Sequence, residues 1–353
     1  MDKKAYTSLF MKRQIYNFFK HLGVEKTDFT EYLVLLVLNV ILKRSVQQYQ
    51  LSQGVFKSSS LSGRLKAFQR FLDRFHLLVD AFTQELIEHF CRKQTTKKEW
   101  TVVIDTTRTC YGEVILQAIL LVGRKRYSPL HQVVLGKQKK GHFKARDLES
   151  FFKTLAKRYP DKKITLVLDN EFASVECFNL YEHLKFIYVA RVKSSICVRI
   201  HHQRSFTPIK CIGKFVKVIE HLFYTRSNPI KVRQMVRIHT KKDSFFVASN
   251  SDATPEQITA LYKKRYKIER FFKTLKSQGI GLNTSRAKTS KSILFILNLV
   301  LIAFLILSLI SKNISKKDLK QILPNPHFKN HDWCVIAVKY IQYKLFNNLL
   351  LIS

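Results

Sequence analysis

Residues 1–95 carry apolar side chains at the spacing of helices. A dense apolar run extends from Tyr32 to Leu42. Further on, apolar side chains recur at steps of three and four residues, at Leu65, Phe68, Phe71, Leu72, Phe75 and Leu78. Residues spaced in this way lie on one face of an α-helix, so the pattern predicts an amphipathic helix. Residues 1–95 are therefore predicted to form a helical domain.

From Trp100 onward the pattern becomes that of β-strands. Runs rich in β-branched and apolar residues lie at Thr101–Thr107, Val114–Val122, His131–Leu135, Ile164–Leu168 and Phe186–Arg191. Helices fit residues 145–158 and 174–184, between the later strands. The order β-β-β-α-β-α-β predicts an α/β, RNase H-like fold, a mixed sheet flanked by helices. Ile164–Leu168 is apolar throughout, which predicts a central strand.

A β-rich, basic stretch at about residues 194–252 interrupts this α/β pattern. A helix then begins with Thr254 as its N-cap, Pro255 at its first position and Glu256 in its first turn. We therefore predict a catalytic domain over residues 96–312 that contains a β-rich insertion. Residues 313–353 are predicted to form a short C-terminal helical region.

The segment Ser292–Ser311 is apolar and uncharged over about the length of a membrane span. The same pattern is typical of a helix that is fully buried in a large core. Both interpretations stay open on the pattern alone.

The charge of the chain points to a polyanionic partner. There are 62 Lys and Arg against 25 Asp and Glu, a formal net charge of +37. Nucleic acid and an anionic membrane surface both fit such a balance. Arg64, with Lys57 and Ser58–Ser60 before it, suits phosphate contacts, although a solvated basic helix face explains these residues equally well. The six cysteines show no metal-binding spacing.

Two aspartates directly follow apolar strands. Asp105 comes after Val102–Ile104, and Asp169 comes after Leu166–Leu168. Either one alone is explained by turn formation, because Asp and Asn favour turns. Two carboxylates at the ends of neighbouring central strands instead predict a shared site, because a buried carboxylate is costly unless something neutralises it.

The helix that starts at Pro255 carries a third carboxylate among basic residues. At about 100° per residue, Tyr262, Arg265, Glu269 and Lys276 fall within about 60° of one another. One acid beside two cations and a phenol suits a metal ligand next to phosphate-binding groups.

The spacing Tyr-x2-Arg-x3-Glu-x6-Lys resembles the signature of the insertion-sequence-four family of DDE transposases (Tn-five/Tn-ten-like). The segments Ile104–Thr107, Leu168–Ala173 and Tyr188–Lys193 are similar to that family's other motifs. The resemblance covers roughly residues 60 to 310. It favours the buried-helix interpretation of Ser292–Ser311, because the last helix of such catalytic domains packs against the sheet.

The resemblance implies a DNA transposase that cleaves the ends of an insertion sequence and transfers the 3′-hydroxyls into target DNA. Asp105, Asp169 and Glu269 would be the catalytic residues and would hold two Mg²⁺ ions, with Mn²⁺ able to substitute. Tyr262, Arg265 and Lys276 would grip the DNA end, and the helical domain with Arg64 would bind the terminal inverted repeats. A homodimer, a cytoplasmic, nucleoid-associated location and no membrane insertion are also expected.

This sequence departs from some family members. Asn170 and Ala173 stand where those members have Arg and a further acid. The insertion also has no Trp to stack a flipped base, which leaves Phe206, Phe223 or Tyr224 as substitutes. Three other interpretations stay open: a related RNase H-like nuclease, a catalytically silent DNA-binding descendant of a transposase, and a basic membrane-associated protein.

Overall fold

The computed structural model describes residues 27–56, 60–123, 126–137, 145–200, 203–213, 215–240, 243–278, 280–312 and 314–322, with shorter stretches between 12 and 25 and between 334 and 343. The chain divides into two compact units. The helical unit comprises residues 1–90, 109–111 and 270–353, and the sheet unit comprises residues 91–108 and 112–269. These boundaries differ from those predicted at 95 and 312.

The elements of the described residues follow in chain order. The α-helices are α1 (Asp28–Lys43), α2 (Gln48–Leu51), α3 (Leu61–Gln94), α4 (Ala145–Arg158), α5 (Val175–His183), α6 (Pro255–Tyr262), α7 (Tyr266–Lys273), α8 (Ser290–Lys312) and α9 (Lys316–Ile322). The strands are β1 (Glu99–Arg108), β2 (Glu113–Leu121), β3 (Tyr127–Lys137), β4 (Lys163–Leu168), β5 (Ile187–Arg191), β6 (Cys197–Ile200), β7 (Thr207–Pro208), β8 (Val218–Tyr224), β9 (Ile230–His239) and β10 (Ser244–Ser249).

The apolar helix α8 forms the core of the helical unit. Its side chains from Phe295 to Leu307 are buried, and Phe295 meets Phe68 and Phe71 of α3 at ring-centroid distances of 5.9 and 6.2 Å. Among the described helices it alone is long and apolar enough to cross a membrane. Its burial is what the prediction of a core helix requires.

The amphipathic face of α3 differs from the predicted one at its far end. Phe68 and Leu72 are buried as expected, but the side chain of Leu78 is 48% exposed. Val79 is buried in its place. Two turns of α-helix take about seven residues, so Val79 continues the face of Leu72, whereas Leu78 turns away from it.

The first five strands of the sheet unit and the helices between them follow the predicted chain order β-β-β-α-β-α-β, and the strands form a mixed sheet. Their order across the sheet is β3-β2-β1-β4-β5. The strand β1 pairs with β2 in antiparallel and with β4 in parallel orientation, and β4 pairs in parallel with β5. The strand β4 is central, as its apolar sequence predicts. This mixed α/β arrangement fits an RNase H-like core.

The β-rich insertion joins this sheet. The strand β10 pairs with β5 in antiparallel orientation, and the sheet continues through β9, β8, β6 and β7. The edge of β5 would otherwise present unpaired backbone groups, and β10 satisfies them. Alternation of apolar and polar residues predicts the strands of the insertion, but it does not indicate which sheet they join.

The helix that begins at Pro255 has the predicted start but is not uniform. Thr254 accepts a hydrogen bond from the Gln257 amide and forms a capping box with that residue. The segment Lys263–Arg265 is a 3₁₀ turn between α6 and α7, and α7 is continued by a π-helical turn over Thr274–Gln278. A constant 100° per residue is therefore wrong for this segment, because a 3₁₀ turn advances by about 120° per residue.

Candidate active site

The register of the parallel strands places the two predicted aspartates side by side. The last paired residues of β1 and β4 are Ile104 and Leu168. Asp105 and Asp169 come directly after them, at the same edge of the sheet. Asp105 lies within β1, three residues before its end, and not at the strand exit that was predicted.

Both aspartates are held in the same way. One carboxylate oxygen of each accepts a hydrogen bond from the next backbone N–H, at 2.8 Å for Asp105 and Thr106 and 2.9 Å for Asp169 and Asn170. These bonds fix the carboxylates and turn the other oxygen of each toward a common point.

The guanidinium of Arg265 occupies that point. Its Nη1 lies 2.8 Å from Asp105 Oδ2 and 3.6 Å from Asp169 Oδ2, and its Nη2 donates to Glu269 Oε1. Although burial opposes its charge, the Asp169 and Asp105 carboxylates raise the pKa of the Arg265 guanidinium. One arginine thus pairs with all three predicted catalytic carboxylates. We call the group formed by Asp105, Asp169, Glu269 and Arg265 the carboxylate edge.

Burial dominates the electrostatics of the carboxylate edge. It raises the pKa of Asp105 to about 7, against the opposing effects of Arg265 and of the Thr106 amide. The neighbouring carboxylates of Glu171 and Asp169 add to the rise. A cation close to these carboxylates favours their charged form and so opposes the effect of burial.

Glu171 is a fourth carboxylate at this edge. It lies in the 3₁₀ turn Asn170–Phe172 that follows Asp169, and its Oε1 accepts a hydrogen bond of 2.7 Å from the Thr106 hydroxyl. Burial raises the pKa of Glu171, and the Thr106 hydrogen bond opposes the shift. The contact joins the segment after Asp105 to the turn after Asp169.

Tyr262 lies beside these groups but is almost fully buried. Its ring meets Phe245 edge-on at 5.4 Å, and 6% of the residue is exposed. Burial raises the pKa of its phenol, Asp169 adds to the rise, and Arg265 opposes it. Its ring therefore supports the segment that carries Arg265.

The structure brings together Asp105, Asp169, Glu269, Arg265 and Tyr262 within the sheet unit. Lys276 and Arg64, the other predicted site residues, belong to the helical unit. Lys276 is half-buried in the π-helical turn, and burial lowers the pKa of its ammonium. Arg64 is half-buried near the start of α3. The positions of Lys57, Ser58 and Ser59 lie outside the described residues.

The three aromatic residues proposed for base stacking have different environments. Tyr224 is buried, and its hydroxyl donates to the Ala173 carbonyl at 2.7 Å, so it is a core residue. Phe206 and Phe223 both lie against the Arg199 guanidinium, at 5.4 and 4.6 Å. These two rings are half-exposed and keep the chemistry that a base contact needs.

A cavity of about 640 Å³ lies beside the 3₁₀ turn that follows Asp169. Its lining includes Asn170, Glu171, Ser174 and Lys193. This volume is in the range of known ligand pockets. Within the described part of the chain, no three His, Cys, Asp or Glu side chains are grouped closely enough to hold a metal ion as they stand.

Several solved structures are similar to this chain. One is the piggyBac transposase synaptic complex with hairpin DNA, at 13% identity and a TM-score of 0.43, over 92% of this chain and 75% of that one. Another is the Argonaute of Marinitoga piezophila with 5′ OH guide RNA and target DNA, at 14% identity and a TM-score of 0.23, over 51% of this chain and 27% of that one. No curated protein matches the chain.

The family match covers much of the sheet unit and α8. Residues 127–306, just over half of the chain, match the family model described as the transposase DDE domain. Asp169, Glu269 and Arg265 lie within the match, and Asp105 precedes it. The chain therefore belongs to the transposase DDE domain family.

Proposed function

We propose that this protein is a DNA transposase of the insertion-sequence-four type, which cleaves the ends of its element and joins their 3′-hydroxyls to target DNA. One observation carries the proposal. Adjacent parallel strands present Asp105 and Asp169 at one edge, and a single arginine holds both together with Glu269. The family match supports the same reaction class.

The donor set fits a divalent cation by its chemistry. Carboxylate oxygens are the protein ligands that Mg²⁺ and Mn²⁺ prefer, and Mg²⁺ usually takes one or two carboxylates together with substrate phosphates. Asp105 Oδ2 and Asp169 Oδ2 already face one cationic nitrogen. We propose that Asp105, Asp169 and Glu269 hold two Mg²⁺ ions, which when bound activate the attacking oxygen and stabilise the leaving oxygen.

Arg265 has a second role in this proposal. Its guanidinium lies between the carboxylates, so it has to move before a cation can reach them. A guanidinium released from carboxylates matches a phosphate equally well, because both groups accept two parallel hydrogen bonds. Arg265 would thus neutralise the acids of the free protein and contact a DNA phosphate in the complex.

The test is cleavage of a labelled duplex that carries the element's terminal repeats, in the presence of Mg²⁺. Glu269→Gln removes one charge from the carboxylate edge. Glu256→Gln is the matched control, because Glu256 is exposed at the start of α6. We expect the wild type and the control to cut at the repeat ends, and Glu269→Gln to cut about a thousandfold more slowly, since several kcal/mol of transition-state stabilisation is lost.

The other outcomes identify the alternatives. Binding of the duplex without cutting by any of the three proteins would indicate a catalytically silent DNA-binding descendant. Cutting without joining of the ends to a target duplex would indicate a nuclease. Cutting by Glu269→Gln at the wild-type rate would show that Glu269 is not a catalytic residue.

We also propose a homodimer, because two element ends have to be held for one insertion. The net charge of +37 supports association with the nucleoid in the cytoplasm. Sedimentation of the protein with and without a terminal-repeat duplex tests the dimer. A single protomer on each duplex at all concentrations would contradict it.

A further inference from the structure

A second concave region of the sheet unit gathers lysines. It is a groove of about 470 Å³ beside the start of β1 and the turn after β2. We call it the lysine groove, and define it by Lys97, Lys263, Lys264, Lys267 and Tyr266. None of these residues belongs to the carboxylate edge.

The groove and the carboxylate edge share one short segment, the 3₁₀ turn Lys263–Arg265. With three residues per turn, side chains at i and i+3 eclipse each other, so Lys263 aligns with Tyr266. Arg265 leaves the same turn in another direction and pairs with the carboxylates.

One lysine of the groove, Lys267, is buried and forms part of its wall, and the other three are exposed to solvent. Lys267 is 5% exposed, and its Nζ donates to the Gly123 carbonyl at 2.6 Å, which ties α7 to the turn after β2. The side chains of Lys97, Lys263 and Lys264 are exposed. Their ammonium groups lie on a surface that this wall holds in place.

The groove has little negative charge to balance these ammonium groups. Among the described residues that line it, Glu99 is the one carboxylate, and Glu99 pairs with Lys163 at 2.9 Å. Like charges in a concavity repel one another and raise the local concentration of anions. A phosphate chain satisfies several of them at once, whereas a single small anion does not.

Tyr266 adds an aromatic face to the charged surface. Tyr266 is 49% exposed and lines the groove together with Lys263, Lys264 and Lys267. Exposed aromatic rings beside a basic track are the pattern with which proteins bind nucleic-acid strands. Lys264 and Tyr266 flank Arg265 in sequence, so one short segment of the chain contributes to both the groove and the carboxylate edge.

We propose that the lysine groove binds the DNA backbone that flanks the scissile phosphate, through Lys97, Lys263 and Lys264 and independently of sequence. This rests on the proposed function for the identity of the strand. The class of ligand, a nucleic-acid phosphate backbone, follows from the groove itself.

The test measures binding of the full-length protein to a fluorescent duplex of random sequence, in EDTA, so that no cleavage takes place. The variant is Lys263→Gln/Lys264→Gln. The matched control is Lys153→Gln/Lys157→Gln, which removes two exposed lysines from α4 of the same unit. Both pairs of lysines are exposed, so the melting temperatures of both variants should be close to that of the wild type.

We expect the groove variant to lower the slope of log K against log salt by about 2, since each lost phosphate contact contributes about 0.9. Its affinity at about 0.1 M salt should fall on the order of tenfold. The control should retain the wild-type slope and affinity. Equal slopes for the two variants would overturn the proposal.

The two proposals fail in different ways. If the wild type cuts terminal-repeat DNA while the slope of the groove variant is unchanged, the groove inference is wrong and the catalytic proposal stands. If the slope falls but no cutting takes place, the groove binds DNA and the catalytic proposal is wrong.

Discussion

The carboxylate edge and the lysine groove lie along the same strand, β1, but differ in how their charged side chains are paired. Near the C-terminal end of β1, Asp105 is 16% exposed and its charge is matched by Arg265 at 2.8 Å. At the start of β1, the exposed lysines of the groove share one carboxylate, and that carboxylate already has a partner. The first region is half-buried, with one guanidinium among three carboxylates, and the second is rich in lysine and open to solvent.

This difference determines how each region responds to change. A charge at the half-buried edge is poorly screened, so the loss of its partner is costly and a bound cation can replace it. Charges in the open groove are screened by water and salt, so their effects are graded and fall as ionic strength rises. The largest effects of substitution are therefore expected at the carboxylate edge.

Arg265→Gln should unbalance the edge. Without the guanidinium, Asp105, Asp169 and Glu269 face one another with no counterion, and we expect the free energy of unfolding in EDTA to fall by about 2–3 kcal/mol. A divalent cation should restore stability, because it binds the folded state; at 100 times Kd it contributes about 2.7 kcal/mol. Urea unfolding with and without Mn²⁺ measures both effects.

Arg270→Gln is the control for this comparison, because Arg270 is an exposed arginine on the same helix α7. Its stability should match the wild type in EDTA and in Mn²⁺. If Arg265→Gln is as stable as Arg270→Gln in EDTA, the arginine does not balance the edge.

The aspartates of the edge were predictable from the sequence, because their cause is local. An apolar β-branched run predicts a strand, and a carboxylate directly after such a run is expected near the strand's end. This holds for Asp169, which follows β4, whereas β1 continues for three residues beyond Asp105. The parallel register then makes Asp105 and Asp169 neighbours. The capped start of α6 was also predictable, since Thr254 and Pro255 act within one turn of helix.

The features that could not be predicted from the sequence depend on tertiary packing. In the sequence the lysines at 263 and 264 resemble an ordinary solvated helix face, and only the packing of the start of β1 and the turn after β2 beside them forms the groove. The binding of Arg265 to three carboxylates depends on side chains up to 160 residues apart in the chain. Attachment of β10 to β5 is also a long-range pairing that strand patterns do not specify.

His131 is a buried titratable group that is neutral in the folded protein at neutral pH. It is 5% exposed in β3, its ring lies 4.7 Å from that of Phe151, and burial, aided by Arg158, lowers its pKa to about 3. Because its folded pKa lies below the unfolded value of about 6.5, the folded state takes up no proton where the unfolded state does. The stability contributed above pH 6.5 is lost as the pH falls from about 6.5 toward 3.

His131→Leu should remove this part of the pH dependence. Between pH 7 and 5 the free energy of unfolding of the wild type should fall by roughly 2 kcal/mol more than that of the variant. His183→Gln, at an exposed position on α5, should behave as the wild type. Parallel stability curves for wild type and His131→Leu would show that His131 titrates normally in the folded protein.

If the carboxylate edge holds a divalent cation, as proposed, it should bind Mn²⁺ directly, and electron paramagnetic resonance measures this binding without reliance on cleavage. The variant Asp105→Asn/Asp169→Asn keeps the shape of both side chains. Asp161→Asn/Asp252→Asn, at two exposed positions of the same unit, is its control. We predict that the wild type and the control bind Mn²⁺ and that the edge variant binds at least about tenfold more weakly. Equal Mn²⁺ binding by all three proteins would contradict the claim.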